Sequence, residues 1–141
     1  MIKSLLVLGI LFLPFASFAA RAQADPPPGN IKLLPGYQHQ TLQGIDTRVG
    51  KIWKPGGIEI KYDIGHLAGD YANPKNRDEY QWYREQVVGG HTVHCALDKG
   101  NTLVVSFPDT ESNFMATVKS QADVADMLLM VLTYQPPTRR R

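Results

Sequence analysis

Apolar and polar residues alternate with period two along much of the chain after residue 50. From Ile58 to Ile64, Ile58, Ile60, Tyr62 and Ile64 fall on one side, and Glu59, Lys61 and Asp63 on the other. That pattern predicts an antiparallel strand with one buried face. Lys51–Lys54 precedes it across Pro55-Gly56-Gly57, which completes a hairpin. Tyr80–Val88 and His91–Leu97 form a second hairpin around Gly89-Gly90, a two-residue loop suited to the primed turns that match strand twist. This loop sets Val88 opposite His91, Gln86 opposite Val93, Glu85 opposite His94 and Arg84 opposite Cys95.

A three-residue loop at Asp98-Lys99-Gly100, with Gly100 left-handed, keeps Val93, Cys95 and Leu97 on the same face as Leu103, Val105 and Phe107. Asn113–Val118 supplies another strand, with Phe114, Ala116 and Val118 inward, and Gln38–Gln43 a further short one. Arg84 and Gln86 fall on the apolar face of this register. Either the covering layer stops short of that strand, or a bulge shifts the Glu85–His94 pairing.

The period changes after Ser120. Ser120-Gln121-Ala122-Asp123 has the form of a capping box, with Asp123 and Asp126 near the positive helix end. A helix is predicted from Gln121 to about Thr133, stopped by Pro136-Pro137. Met127 to Leu132 is apolar on more than one face, which suits a helix laid across the apolar side of a sheet. The expected fold class is α+β: an antiparallel β-meander of about five or six strands with one C-terminal helix packed on its apolar face.

The first 24 residues read as an address. Lys3 supplies a positive start, Ser4 to Phe18 an apolar run, and Ala22-Gln23-Ala24 a small-x-small cleavage site. The run is shorter than the roughly 20 residues that span a bilayer, and Pro14 interrupts it, so a cleaved signal peptide is expected rather than an anchor. The expected divisions are a cleaved signal at 1–24, an extended proline-rich leader at 25–30, a single domain at 31–135 and a flexible basic tail at 136–141. Localisation is then secreted or periplasmic, with membrane contact only through the transient signal peptide.

Losing the signal changes the charge. The chain has 15 basic and 13 acidic residues, and Lys3 and Arg21 leave with the signal. Three of the remaining basic residues are Arg139-Arg140-Arg141, so the body is mildly acidic and has no footprint for nucleic acid. Cys95 is the only cysteine. An exported lone thiol is expected to be either buried or joined to a second chain by a disulfide.

Catalytic motifs are lacking: no GxSxG, HExxH, CxxC, P-loop or GxGxxG occurs. No cofactor is implied. His91-x-x-His94-Cys95 has the residue types of a metal site, but strand geometry points His91 and Cys95 away from His94, so no metal is expected. Glu85 and His94 are the best acid–base pair, facing each other on the polar face with Tyr83 two residues along. Alone they read as an ordinary cross-strand pair. Gly65–Glu79 is a polar loop of 15 residues among turns of two to five. It carries His66, Asp70 and Tyr71 and leads into Tyr80, Trp82 and Tyr83. Flat rings beside mixed polar groups suit recognition of sugars or peptides.

The expected function is therefore a small exported non-catalytic domain that binds an unknown protein or small ligand outside the cytoplasm. Its surface would be the 65–79 loop and the polar sheet face, with His66, Asp70, Tyr71 and Tyr83 as binding residues. The alternatives are an exported hydrolase-like enzyme that uses Glu85 and His94 with Asp70 or His66, or an envelope assembly subunit joined along a strand edge or through Cys95.

Overall fold

Residues 25–137 are described by a computed structural model. The expected signal peptide at 1–24 and residues 138–141 of the expected basic tail lie outside the described residues. Seven strands form one antiparallel sheet: β1 (Gln38–Leu42), β2 (Arg48–Trp53), β3 (Glu59–Ile64), β4 (Trp82–Val88), β5 (His91–Leu97), β6 (Thr102–Phe107) and β7 (Ser112–Thr117). One helix, α1 (Gln121–Val131), follows the last strand. The fold is α+β as the pattern predicts, with seven strands rather than five or six.

The spatial order is β1-β2-β3-β7-β6-β5-β4. Two meanders, β1–β3 and β4–β7, therefore join through β3 and β7, the second running back from the far edge to the middle. The long segment after Ile64 carries the chain across the sheet to β4.

The faces divide as the alternation requires. Ile52, Ile60, Phe114, Val105 and Val93 are each 0 % exposed and lie under α1, which buries Met127, Met130 and Val131 against them. Tyr134 follows the helix, packs edge-on to Phe107 and Phe114, and bonds Ser112 Oγ through its hydroxyl at 2.9 Å. The start of α1 is capped as expected. Ser120 Oγ accepts from Asp123 N at 3.2 Å, and the Asp123 carboxylate accepts from Lys119 N at 2.7 Å. Tyr37 ties the helix to the body by donating to Asp126 at 2.8 Å, and burial followed by this carboxylate pushes its phenol up to about 12.

The β4–β5 register is the expected one, with Glu85 opposite His94 and Val88 opposite His91. Gly89 and Gly90 both take positive φ, the conformation of a type I′ turn. No bulge lies within β4. Arg84 and Gln86 fall on the helix side because β4 is the sheet edge and α1 does not reach over it, leaving both residues exposed.

The β5–β6 turn needs a correction. Leu97 pairs with Leu103 and Cys95 with Val105, which keeps the expected faces but shifts the register by two residues. Asp98 is the cause. Its carboxylate accepts from Gly100 N and Thr102 N at 2.8 and 2.7 Å, so the left-handed residue is Asn101 at φ 62° and not Gly100.

The proline stretch 25–30 lies against the fold rather than apart from it. Pro28 is buried, Gly29 O accepts from Gln135 N at 2.8 Å, and Asp25 O bonds His39 Nδ1 at 2.8 Å. Cys95 is buried and unpaired, and desolvation pushes its thiol up to about 11.

Candidate functional site

The face opposite α1 would ordinarily be wet, yet its middle holds three buried polar side chains. Ser106 and Asn113 are 0 % exposed and His94 is 7 % exposed. They come from β6, β7 and β5, with Ser106 directly opposite Asn113. Such groups need partners once water is excluded. The Gly65–Gln81 crossover supplies them.

Asn113 is the centre of this contact. Its Nδ2 donates to Gly69 O at 3.0 Å, while its Oδ1 accepts from Tyr71 N at 3.0 Å and from Ser106 Oγ at 2.7 Å. Ser106 Oγ also accepts from Ala72 N at 3.1 Å. Ala68 and Ala72 are buried beneath the crossover. Beyond them the chain makes a 3₁₀ segment, Pro74–Glu79, started by Asn73, whose side chain accepts from Lys75 N at 2.9 Å. The segment then enters β4.

His94 lies between two carboxylates. Asp70 Oδ2 of the crossover is 3.0 Å from Nδ1, and Glu85 Oε2 of β4 is 3.6 Å from Nε2. The Tyr83 ring packs 5.9 Å from the imidazole, Tyr80 stacks on Tyr83 at 6.0 Å, and the Arg77 guanidinium stands 5.5 Å over the Tyr83 ring. Burial, then the Glu85 charge, raises the Tyr83 phenol. Asp70 Oδ1 and Tyr83 Oη are buried without a protein hydrogen-bond partner among the described residues.

Asp70, Glu85, His94 and Tyr83 thus come together. His66 does not. Its side chain is 91 % exposed and pairs with Glu111 at 3.0 Å, because the crossover begins at the β3–β7 side of the sheet, away from β5. Tyr71 stands beside the cluster and is 40 % exposed. Its hydroxyl donates to Asp63, a bond that, with burial, pushes the phenol up to about 12. Trp82, on the helix-facing side of β4, is 39 % exposed at the edge. His91 meets Asp109 at 2.7 Å, so the two histidines of the H-x-x-H run take separate partners. Among the described residues no group of three or more His, Cys, Asp or Glu side chains has the arrangement to hold a metal ion.

Chemically, the cluster can hold an imidazole in one orientation between two carboxylates. It presents no free ring nitrogen to the surface, and Ser106 spends its hydroxyl on Asn113. Ser106 and Asn113 are the site residues that alternation alone does not single out. They occupy the polar register of two strands joined by the Pro108-Asp109 turn, so a buried pair at that register implies something lying over it. No family model, no curated protein and no solved structure matches this chain.

Proposed function

We propose that this chain is an exported, non-catalytic binding domain whose recognition surface is the 65–79 loop with the adjoining polar sheet face. The observation that carries the reading is how the loop is held. Polar side chains of two strands, β6 and β7, fix its backbone, so Tyr71, Arg77, Tyr80 and Tyr83 are displayed at little further cost in ordering when a partner arrives. Stacked rings beside a guanidinium and carboxylates suit the flat faces and hydroxyls of a saccharide, or the side chains of a peptide. Asp70 acts from beneath, and His66 and Tyr71 lie at the rim.

The convergence of Asp70 on the Glu85–His94 pair favours a second, enzymatic reading, in which Asp70 orients the imidazole for acid–base work. It is the weaker one. Both ring nitrogens face carboxylates, the ring is buried, and Ser106, opposite it on β6, donates its hydroxyl to Asn113 Oδ1. Affinity capture from an exported fraction, followed by titration of the recovered partner into isotope-labelled protein, separates the two. Shifts confined to residues 66–83, abolished by Tyr71→Ala with Arg77→Ala, support binding. A partner that binds that double variant undiminished defeats the surface assignment. Turnover of the partner that His94→Gln abolishes overturns the non-catalytic reading.

A further inference from the structure

Strand β4 is an outer edge of the sheet, and of the usual guards it carries only the charges of Arg84 and Glu85. Its seven residues contain no proline and no lysine, and no helix covers it. Two large exposed apolar side chains stand on the strand, one on each face: Trp82 at 39 % exposure on the helix side and Val87 at 74 % on the polar side. Between α1 and β4 runs an apolar groove of about 260 Å³, lined by Trp82, Arg84, Val88, Cys95, Leu128 and Leu132 among others.

The backbone of β4 fixes which groups are free. Val88 and His91 close the two-residue turn as a hydrogen-bonded pair, so Trp82, Arg84, Gln86 and Val88 direct their amides and carbonyls to β5. Tyr83, Glu85 and Val87 direct theirs outward. These three positions are symmetric about Glu85, and so is the strand as a whole.

From this symmetry we propose that two copies of the chain pair β4 to β4, antiparallel, about a twofold axis through Glu85 and perpendicular to the sheet. The full strand then overlaps itself without a slip. Trp82 faces Val88 of the second copy on the helix side, Arg84 faces Gln86, and Tyr83 faces Val87 on the polar side. About six main-chain hydrogen bonds form, two for each of the outward pairs. Both α1 helices end on the same side of the joined sheet, and the two grooves become one trough flanked by leucines. The arrangement is isologous and closes at two copies, because it consumes the edge it uses.

A strand from another protein would gain the main-chain bonds equally. The apolar matches on both faces, however, are already encoded in β4 read against itself. One contact opposes the pairing: Glu85 meets Glu85 of the second copy, each with His94 Nε2 3.6 Å behind it. That contact makes the register testable.

Sedimentation equilibrium of the chain purified from an exporting host should show a monomer–dimer equilibrium insensitive to reductant. Val87→Pro removes an outward amide that the β4–β5 ladder does not use, and should leave a folded monomer. Glu85→Gln removes the like-charge contact and should tighten the dimer roughly two- to fivefold. A strictly monomeric chain at tens of micromolar overturns the proposal, as does an open-ended polymer or a dimer that reductant dissolves. If Val87→Pro does not fold, Glu85→Gln decides alone, and unchanged or weaker association refutes the pairing.

Discussion

Asn113→Ala is the most direct probe of how the crossover is held. The substitution removes three hydrogen bonds at once, to Gly69 O, Tyr71 N and Ser106 Oγ. Each contributes a net ~1 kcal/mol, and any partner left unmet under the closed loop costs ~1–3 kcal/mol more. Apolar adhesion is small by comparison. Ala68 and Ala72 bury one methyl each beneath the segment, together ~1.5 kcal/mol. The polar network therefore dominates, and docking should weaken by ~3 kcal/mol. Native-state hydrogen exchange reads this directly: the Tyr71 and Ala72 amides should exchange about a hundredfold faster, because ~1.4 kcal/mol is a factor of ten. Amides of Val105 and Phe114, bound within the sheet, should barely change. A less than threefold change at residues 71 and 72 would show that something else holds the crossover, and the account of Asn113 would be wrong.

Three further outcomes follow from the core. Cys95 is neutral when folded, with its thiol raised from near 9 to about 11. Its contribution to stability is therefore complete below pH 9 and lost as pH rises through 11, of order 2–3 kcal/mol; urea midpoints of the parent should fall over that window more steeply than those of Cys95→Ala, and parallel curves would contradict the burial. Gly50→Ala should destabilise by ~2 kcal/mol or more, since its new methyl would sit 2.2 Å from the Tyr62 hydroxyl; a denaturation midpoint equal to the parent's would show that Tyr62 can move. Ser120→Ala removes the cap on Asp123 N and should cost about 1 kcal/mol in urea unfolding, with an unchanged midpoint counting against the cap.

Much of the strand arrangement is legible in the residues, and the reason is local. The alternation Ile58, Ile60, Tyr62, Ile64 permits only one buried face, and the Gly89-Gly90 turn fixes β4 against β5 without reference to the rest of the chain. Arg84 and Gln86, which look misplaced on an apolar face, are the trace of an edge strand. Features that depend on distant partners are harder to read. Nothing near Pro28 announces that Gln135 will donate to Gly29 O. The strand order is similarly hidden, because a meander and a segment crossing the sheet give the same alternation. The site was half legible. Glu85–His94 follows from a turn, but Asp70 joins the pair and His66 does not only because of the direction in which the crossover runs.

That crossover has a consequence for how the molecule assembles. The β1–β3 and β4–β7 meanders are built from neighbouring segments and can each zip up early. The seam between them joins Lys61–Ile64 to Ser112–Met115, strands separated by the whole of the second meander. Contact separation therefore predicts that the interior of the sheet closes last, after its outer strands exist. Until then β3 and β7 each present an unpaired border. The docked crossover, bonded to Asn113 of β7 and leaving from the end of β3, is a short tether between those borders. By holding the two together it shortens the search that closes the sheet, and it limits the time in which either border can find a wrong neighbour.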